Sequence, residues 1–483
     1  MYRALLESRD MMASSDHGIH VLLLPYPSQG HINPLLQFGK RLAARDGVRC
    51  TVAVTRFVAG SAMPAAAAAA AAGVHVAVFS DGCDGGGPDE VGGHRGPYFE
   101  RLRSAAPATV DALLRSEAAR GRPVHVVVYD AFLPWAQGVA RRRGAACAAF
   151  LTQACAVDVL YTHARDGRLP FPPPPAALLG LPGLPAAPHR LEPADLPTFL
   201  ADVNRPLCLL GLLMDQFTGL DTADHVLVNS FYDLEPQEAD FMASRWGAKT
   251  VGPTVPSVYL DNRLPDDVSY GIHLYTPMAS ESKAWLDAHP PCSVVYISFG
   301  SIASLSHEQM AEVAEGLYGS GKPFLWVVRA TETPKLPEGF AKKAKARGII
   351  VAWCPQLEVL AHPSVGCFVT HCGWNSTIEA ISAGVPMVAM PERSDQTTNA
   401  KYIQDMWCVG VRVQPNSKGV MRRADVEMCV REVMEGEMCK EFKKNALEWR
   451  NKAKKAVSEC GSSDVNISDF LAKFGHLKHY SAV

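Results

Sequence analysis

Two α/β domains, each wound on a parallel sheet, are what this sequence predicts, and three observations carry the expectation. Short apolar runs of strand character alternate with helical patterns from one end to the other, as crossover-connected sheets require. The alternation breaks over 252–285, where Gly252-Pro253, Pro256, Pro265-Asp266-Asp267 and Pro277 fall together with little periodicity. Past the strand ends, both halves carry polar or small residues, which is where open parallel sheets bind ligands.

The elements follow in order. In the first half, 20–24, 51–55, 74–79, 124–129 and 145–151 read as buried strands, with helical patterns such as 35–44 and 98–119 between them. In the second half the strands are 294–298, 324–328, 348–352, 366–370 and 387–389, and helices such as 307–316 and 397–406 intervene. The expected division is a disordered lead over 1–17, a first domain over 18–255, a linker over 256–285 and a second domain over 286–455. Met11 and Met12 are start methionines as good as Met1. The run 65–72 is unbroken alanine, a surface helix or loop. The proline- and leucine-rich stretch 169–188 reads as a long irregular loop, either covering a binding site or a tolerated insertion.

Composition narrows the function. The 483 residues are 48% hydrophobic and 20% charged with net charge −2, which gives no electrostatic case for nucleic acid or an anionic membrane. No apolar run reaches the roughly 18 residues of a membrane span. The apolar stretch 19–24 is short and runs into Pro25-Tyr26-Pro27-Ser28-Gln29-Gly30-His31, unlike a secretory signal. Thirteen cysteines, irregularly spaced and without a C-x-x-C, fit free thiols in a reducing compartment, the cytoplasm. Cys354, Cys367 and Cys372 lie near His362 and His371 but match no zinc template, so no metal is expected.

Motifs of several chemistries are missing. No G-x-G-x-x-G joins the first strand to its helix, which disfavours hydride transfer. Gly82-Cys83-Asp84-Gly85-Gly86-Gly87 follows a strand but continues as loop through Pro88-Asp89-Glu90. There is no P-loop, no Asp-x-Asp pair, and Ser28-Gln29-Gly30 is not a G-x-S-x-G elbow.

Two features remain. At 370–380, Thr-His-Cys-Gly-Trp-Asn-Ser-Thr-Ile-Glu-Ala, a strand gives way to a turn and a helix start. A helix N-terminus is an anion site, and His371, Asn375 and Ser376 can donate there. Ser376-Thr377-Ile378-Glu379 also fits a capping box, so an ordinary capped helix is the competing reading. The other feature is His31 after the first strand, with Asp130 at another strand end. A His–Asp pair can deprotonate a hydroxyl, the Asp orienting the ring; a helix-start histidine is the alternative.

The 44-residue block from Trp353 to Gln396, WCPQLEVLAHPSVGCFVTHCGWNSTIEAISAGVPMVAMPERSDQ, resembles the signature box of plant UDP-dependent glycosyltransferases of glycosyltransferase family 1, at full length without a gap. Pro25-Tyr26-Pro27-Ser28-Gln29-Gly30-His31-Ile32-Asn33-Pro34 and Tyr296-Ile297-Ser298-Phe299-Gly300-Ser301 resemble the same family's motifs. The resemblance implies a GT-B fold, two Rossmann-like domains facing across a cleft. It implies an acceptor-binding first domain, a UDP-sugar-binding second domain, and a last helix within 456–483 packing back on the first.

By the same resemblance Trp353 stacks on uracil, Gln356 and Glu379 hold the ribose, and His371, Asn375, Ser376 and Ser301 hold the diphosphate. Trp374, Asp395 and Gln396 contact the sugar, with Thr152 reaching it from the other domain. Gln396 resembles the glucose-using pattern. Glu392-Arg393 stand where the family often carries apolar or aromatic residues; they either pair with each other or alter donor preference.

The implied reaction is metal-independent and inverting. The helix N-terminus and His371 neutralise leaving-group charge, while His31, aided by Asp130, deprotonates a hydroxyl of a small lipophilic acceptor; a carboxylate acceptor is already ionised near pH 7. Residues 24–34, 129–135 and 150–153 look most like the subgroup that glucosylates small acids such as salicylate and indole acetate. The expected partners are UDP-glucose and a small-molecule acceptor, with no cofactor, and the expected state is a monomer. The rivals are a member using another UDP-sugar and a non-catalytic UDP-sugar-binding module.

Overall fold

The computed structural model describes residues 18–61, 73–93, 95–170, 173–174, 180–186, 188–202, 207–272 and 278–474. The expected lead at 1–17, the alanine run at 65–72 and parts of 169–188 lie outside them.

The first sheet is entirely parallel. Its strands are β1 Ile19–Leu24, β2 Val48–Thr55, β3 Val74–Phe79, β4 Val126–Asp130, β5 Ala146–Leu151, β6 His225–Val228 and β7 Lys249–Thr250. They lie in the order β3-β2-β1-β4-β5-β6-β7. The second sheet has β8 Val294–Ser298, β9 Phe324–Val327, β10 Gly348–Val351, β11 Val365–Thr370, β12 Met387–Ala389 and β13 Gly410–Arg412, in the order β10-β9-β8-β11-β12-β13. Central strands such as β4 and β8 are buried at every position. That is why they read as continuous apolar runs rather than alternating ones. The fold class is thus the α/β class expected, in two Rossmann-like domains.

Each sheet reverses its winding once, and the reversals put the chemistry together. In the first sheet β1 pairs with β4, Leu24 opposite Tyr129. The residues leaving β1 and the last residue of β4, Asp130, therefore share one crevice. In the second sheet β8 pairs with β11, Ser298 opposite Thr370. This brings Gly300 and Ser301 beside His371. Ligands bind at such switch points because the two adjacent crossovers diverge and leave the strand ends open.

The stretch expected as a linker is bolted to the first domain over part of its length. Lys40 Nζ meets Asp267 Oδ1 at 2.8 Å, both buried, and Arg41 holds Asp261 through two hydrogen bonds of 3.0 and 3.1 Å. Buried charges of this kind need such partners to offset their desolvation. Farther along, the helix Cys439–Val457 leads into the helix Ser462–Ala472. Ile467, Phe470 and Leu471 of the latter, with Phe474, are buried in the same core as Val21, Leu23, Phe38 and Phe150 of the first domain. Burying each such side chain stabilises by roughly 1.5–3 kcal/mol. Among the described residues no helix is long and apolar enough to cross a membrane.

Candidate active site

A cavity of about 780 Å³ lies between the two sheets' C-terminal edges. His31, Thr152, Ser301, Trp353, Gln356, His371, Trp374, Asn375, Ser376, Glu379, Asp395 and Gln396 all line it. Asp130 is fully buried behind His31. Every residue singled out from the sequence is therefore in one place or directly behind it.

On the first domain, β1 ends at Leu24 and the helix Gln29–Ala43 begins five residues on, with His31 in its first turn. Asp130 Oδ2 sits 2.7 Å from His31 Nδ1, and Asp130 Oδ1 accepts from the Phe132 amide at 3.0 Å. The carboxylate is held at both oxygens, so it fixes the ring and leaves Nε2 as the nitrogen free for a substrate. Tyr26 and Phe132 pack on the ring at centroid distances of 5.2 and 4.8 Å. Thr152 Oγ1 lies 3.3 Å from His31 Nδ1. The structure thus sets Thr152 beside the histidine.

Pro34 has a consequence for this helix. Lacking an N–H, it cannot bond the carbonyl of Gly30 four residues back. The freed carbonyl accepts from Asn375 Nδ2 of the second domain at 2.8 Å. The helix carrying His31 is so tethered to the start of the helix Trp374–Ala383. One of the two Asn375 Nδ2 hydrogens is engaged there.

The capping box that the pattern at Ser376 and Glu379 allows, the competing reading, does not form. The helix begins earlier, at Trp374, with Gly373 in extended conformation at the cap and no side chain bonded to it. Ser376 is then the third helical residue and its hydroxyl accepts from Gln356 Nε2 at 2.9 Å. Glu379 is taken up elsewhere: Oε2 accepts from Gln356 Nε2 at 2.6 Å and Oε1 from the Tyr270 hydroxyl at 2.8 Å. Burial pushes this carboxyl up to about 7. Gln356 is oriented in turn by Tyr296, whose hydroxyl donates to Oε1 at 3.1 Å. The Asp395 carboxylate engages the Trp374 amide, and the amides that follow it are left for a ligand.

His371 is closed in by Gly300, where a Cβ would lie 2.7 Å from the imidazole; Gly300 has φ +71°, which suits only glycine. Burial pushes His371 down to about 4, with Arg393 and Arg329 adding to the fall. Its ring is therefore neutral at pH 7. It can donate an N–H to a phosphate, but the positive charge expected of it comes from the neighbouring guanidiniums. Arg329 donates to the Ser301 carbonyl at 2.6 Å and also to that of Ala303, and Arg393 to that of Ile302 at 2.6 Å. The unusual Arg393 of the signature box thus braces the loop after β8.

At the far end, Gln396 Oε1 accepts from the amides of Glu392 and Arg393 at 2.8 and 2.9 Å. Its NH₂ is the end left for a ligand hydroxyl. Asp395 Oδ2 accepts from Asn399 Nδ2 at 2.8 Å. Trp374 is buried, and its indole N–H is committed to the Asn229 carbonyl at 2.7 Å. The remaining wall is apolar, from Phe132, Phe199, Leu209, Leu212 and Leu213, with Gln153 as a polar group held by Gln216 Nε2 at 3.1 Å. These wall residues, and Tyr270, were not singled out from the sequence. Phe132 and Gln153 lie within 129–135 and 150–153, whose resemblance is noted above, and the others come from segments without a motif.

A family profile described as UDP-glucoronosyl and UDP-glucosyl transferase matches residues 264–451. UDP-glycosyltransferase 79 of Oryza sativa subsp. japonica is 46% identical over 466 residues, 96% of this chain and 98% of its own length. Flavonol 7-O-beta-glucosyltransferase UGT74F1 of Arabidopsis thaliana is 42% identical over 459 residues, 94% of this chain and 98% of its own. Crystal structures of Os79 from O. sativa match with TM-scores of 0.89, in complex with UDP, and 0.84, with UDP and deoxynivalenol-3-glucoside. Their identities are 46% and 44%, and each covers 94% of this chain and 100% of its own.

Proposed function

The chain belongs to the UDP-glucoronosyl and UDP-glucosyl transferase family and is a UDP-glycosyltransferase of the plant family 1 type; from that premise we propose that it transfers glucose from UDP-glucose, with inversion, to a hydroxyl of a small lipophilic acceptor. One observation carries the reading. The His31–Asp130 pair and the N-terminus of the helix Trp374–Ala383 line a single cavity, tethered through Gly30 and Asn375.

The steps balance as follows. The acceptor oxygen attacks the anomeric carbon opposite the leaving UDP. Its proton passes to His31 Nε2, and Asp130 stabilises the imidazolium. The bond from the anomeric carbon to the β-phosphate oxygen breaks, and UDP leaves with the electron pair. An α-linked donor thereby gives a β-glucoside. The helix N-terminus, the His371 N–H and the field of Arg329 and Arg393 meet the charge on the departing diphosphate. On this reading no metal takes part. Trp353, Gln356 and Glu379 hold the nucleoside, and Asp395 and Gln396 read the hexose.

Relatives named for flavonol 7-O-glucosylation, and a glucoside found in a matching crystal structure, support a hydroxyl acceptor. The apolar wall of Phe132, Phe199, Leu212 and Leu213 supports a lipophilic one. Transfer to a small aromatic acid is the second reading, favoured by the resemblance at 24–34, 129–135 and 150–153. The described cysteines are free thiols, which supports a cytoplasmic site of action.

The test is a mass-spectrometric transfer assay with UDP-glucose, UDP-galactose, UDP-xylose and UDP-glucuronate against phenols, aromatic acids, flavonoids and terpenoids, with and without a chelator. A hexose gain from UDP-glucose, stable to alkali and indifferent to the chelator, is expected. An alkali-labile product would favour the acid reading. UDP binding without any product would favour a non-catalytic module.

A further inference from the structure

Resting on the donor reading above, we propose that residues 195–198 of the first domain act as a latch that positions the sugar-reading turn of the second, with Thr198 its central positioning residue. The turn is 393–398, which carries Asp395 and Gln396. Its middle is strained: Ser394 has φ +60°, a left-handed conformation that a residue with a Cβ adopts only when its surroundings impose it. The imposing contacts come from the other domain. Ser394 N donates to Thr198 Oγ1 at 2.8 Å, and Thr198 N donates back to the Ser394 carbonyl at 2.9 Å.

The seam continues on one side. Thr397 Oγ1 donates to the Leu196 carbonyl and Thr398 Oγ1 to the Asp195 carbonyl, each at 2.6 Å. Asp195 is anchored in its turn, its carboxylate 2.7 Å from Arg412 Nη1 at the end of β13. So the turn that aims Gln396 is completed by residues of the opposite domain. Thr198 also opens the short helix whose next residue, Phe199, lines the acceptor side of the cavity. The acceptor wall and the hexose reader are in this way one mechanical piece. The uracil and ribose positions, Trp353, Gln356 and Glu379, make none of these contacts.

The experiment uses the full chain with Thr198→Val, Thr198→Ser and Arg412→Gln. It measures transfer from UDP-glucose and UDP-galactose, and the affinities for UDP and UDP-glucose. Thr198→Val should lower kcat/KM for UDP-glucose about tenfold, the worth of a partly buried backbone N–H left without its acceptor. The preference for glucose over galactose should narrow, and UDP affinity should stay within about twofold of wild type. Thr198→Ser, which keeps the hydroxyl, should restore both. Arg412→Gln, outside the cavity, should act in the same direction and serves if Thr198→Val does not fold. A Thr198→Val protein with wild-type transfer and wild-type sugar preference overturns the latch. So does one that loses UDP and UDP-glucose affinity equally. A wild type that binds UDP-glucose but transfers nothing would sink the transferase reading alone, since the UDP-glucose to UDP affinity ratio still reads the latch.

Discussion

The two walls of the cleft are built on opposite plans. The donor wall comes mostly from one continuous stretch, 353–396, whose polar side chains are locked by one another and by two tyrosines from outside it: Tyr296 orients Gln356, Gln356 holds Ser376 and Glu379, and Tyr270 holds Glu379. The acceptor wall is gathered from 28–33, 132, 152–153, 199 and 209–213, where the apolar Phe132, Phe199, Leu209, Leu212 and Leu213 stand beside Ser28, Gln29, Asn33, Thr152 and Gln153. The difference follows from what each must bind. A nucleoside diphosphate sugar has fixed donors, acceptors and charges, and these demand fixed partners. An apolar acceptor demands shape, which many side chains can supply.

That comparison can be broken at either wall, and the largest effect belongs to the acceptor side. His31→Ala should lower kcat roughly 10²–10⁴-fold, the usual worth of a general base. UDP affinity by calorimetry should not change. A turnover close to wild type would remove His31 as the base, and a rate retained only with acids would mark ester formation.

On the donor side, Trp353→Ala should remove a stacking platform worth roughly 1–3 kcal/mol, weakening UDP about tenfold or more. With UDP-glucose saturating, acceptor KM should stay put. An acceptor KM that rose in step with UDP Kd would show that the walls are not independent.

The smallest effect is a pH dependence. Glu379 stands at about 7, raised by burial. Ribose hydroxyls donating to its carboxylate favour the charged form, so binding lowers that pKa and releases a proton. UDP affinity is then full above about pH 7 and falls as pH drops through that value toward the pKa of the complex. Glu379→Gln should flatten the profile. His371, pushed down to about 4, stays neutral through this window. A wild-type profile already flat near pH 7 would take ribose away from Glu379.

How legible each wall was in the sequence follows the same division. The central strands β1, β4, β8 and β11 are buried on both faces and read as apolar runs. β7 and β13, two and three residues long, sit at sheet edges and gave no such signal. The donor residues could be named because their chemistry is packed into one stretch. Tyr270 could not, because it reaches Glu379 from a segment with no periodicity, and neither could Leu212 or Phe199, whose role is only shape. The capping-box alternative at Ser376 stayed open because its pattern is local. Which residue caps a helix depends on where the preceding strand ends, and Gly373 took that place. His371 was expected to carry charge, and only its burial shows that it does not.

The helix Ser462–Ala472, seated on the first domain's core beside Phe38 and Phe150, has a mechanical meaning. Ile272 still belongs to the first domain's core, the helix Ala279–Asp287 belongs to the second domain, and the chain comes back near 457–462. Two bodies joined by a single strand of chain can swing, twist and slide. Joined at two separate points, they keep mainly one freedom, rotation about the line through both pins. The Gly30–Asn375 tether and the Thr198–Ser394 seam are thereby kept in one alignment.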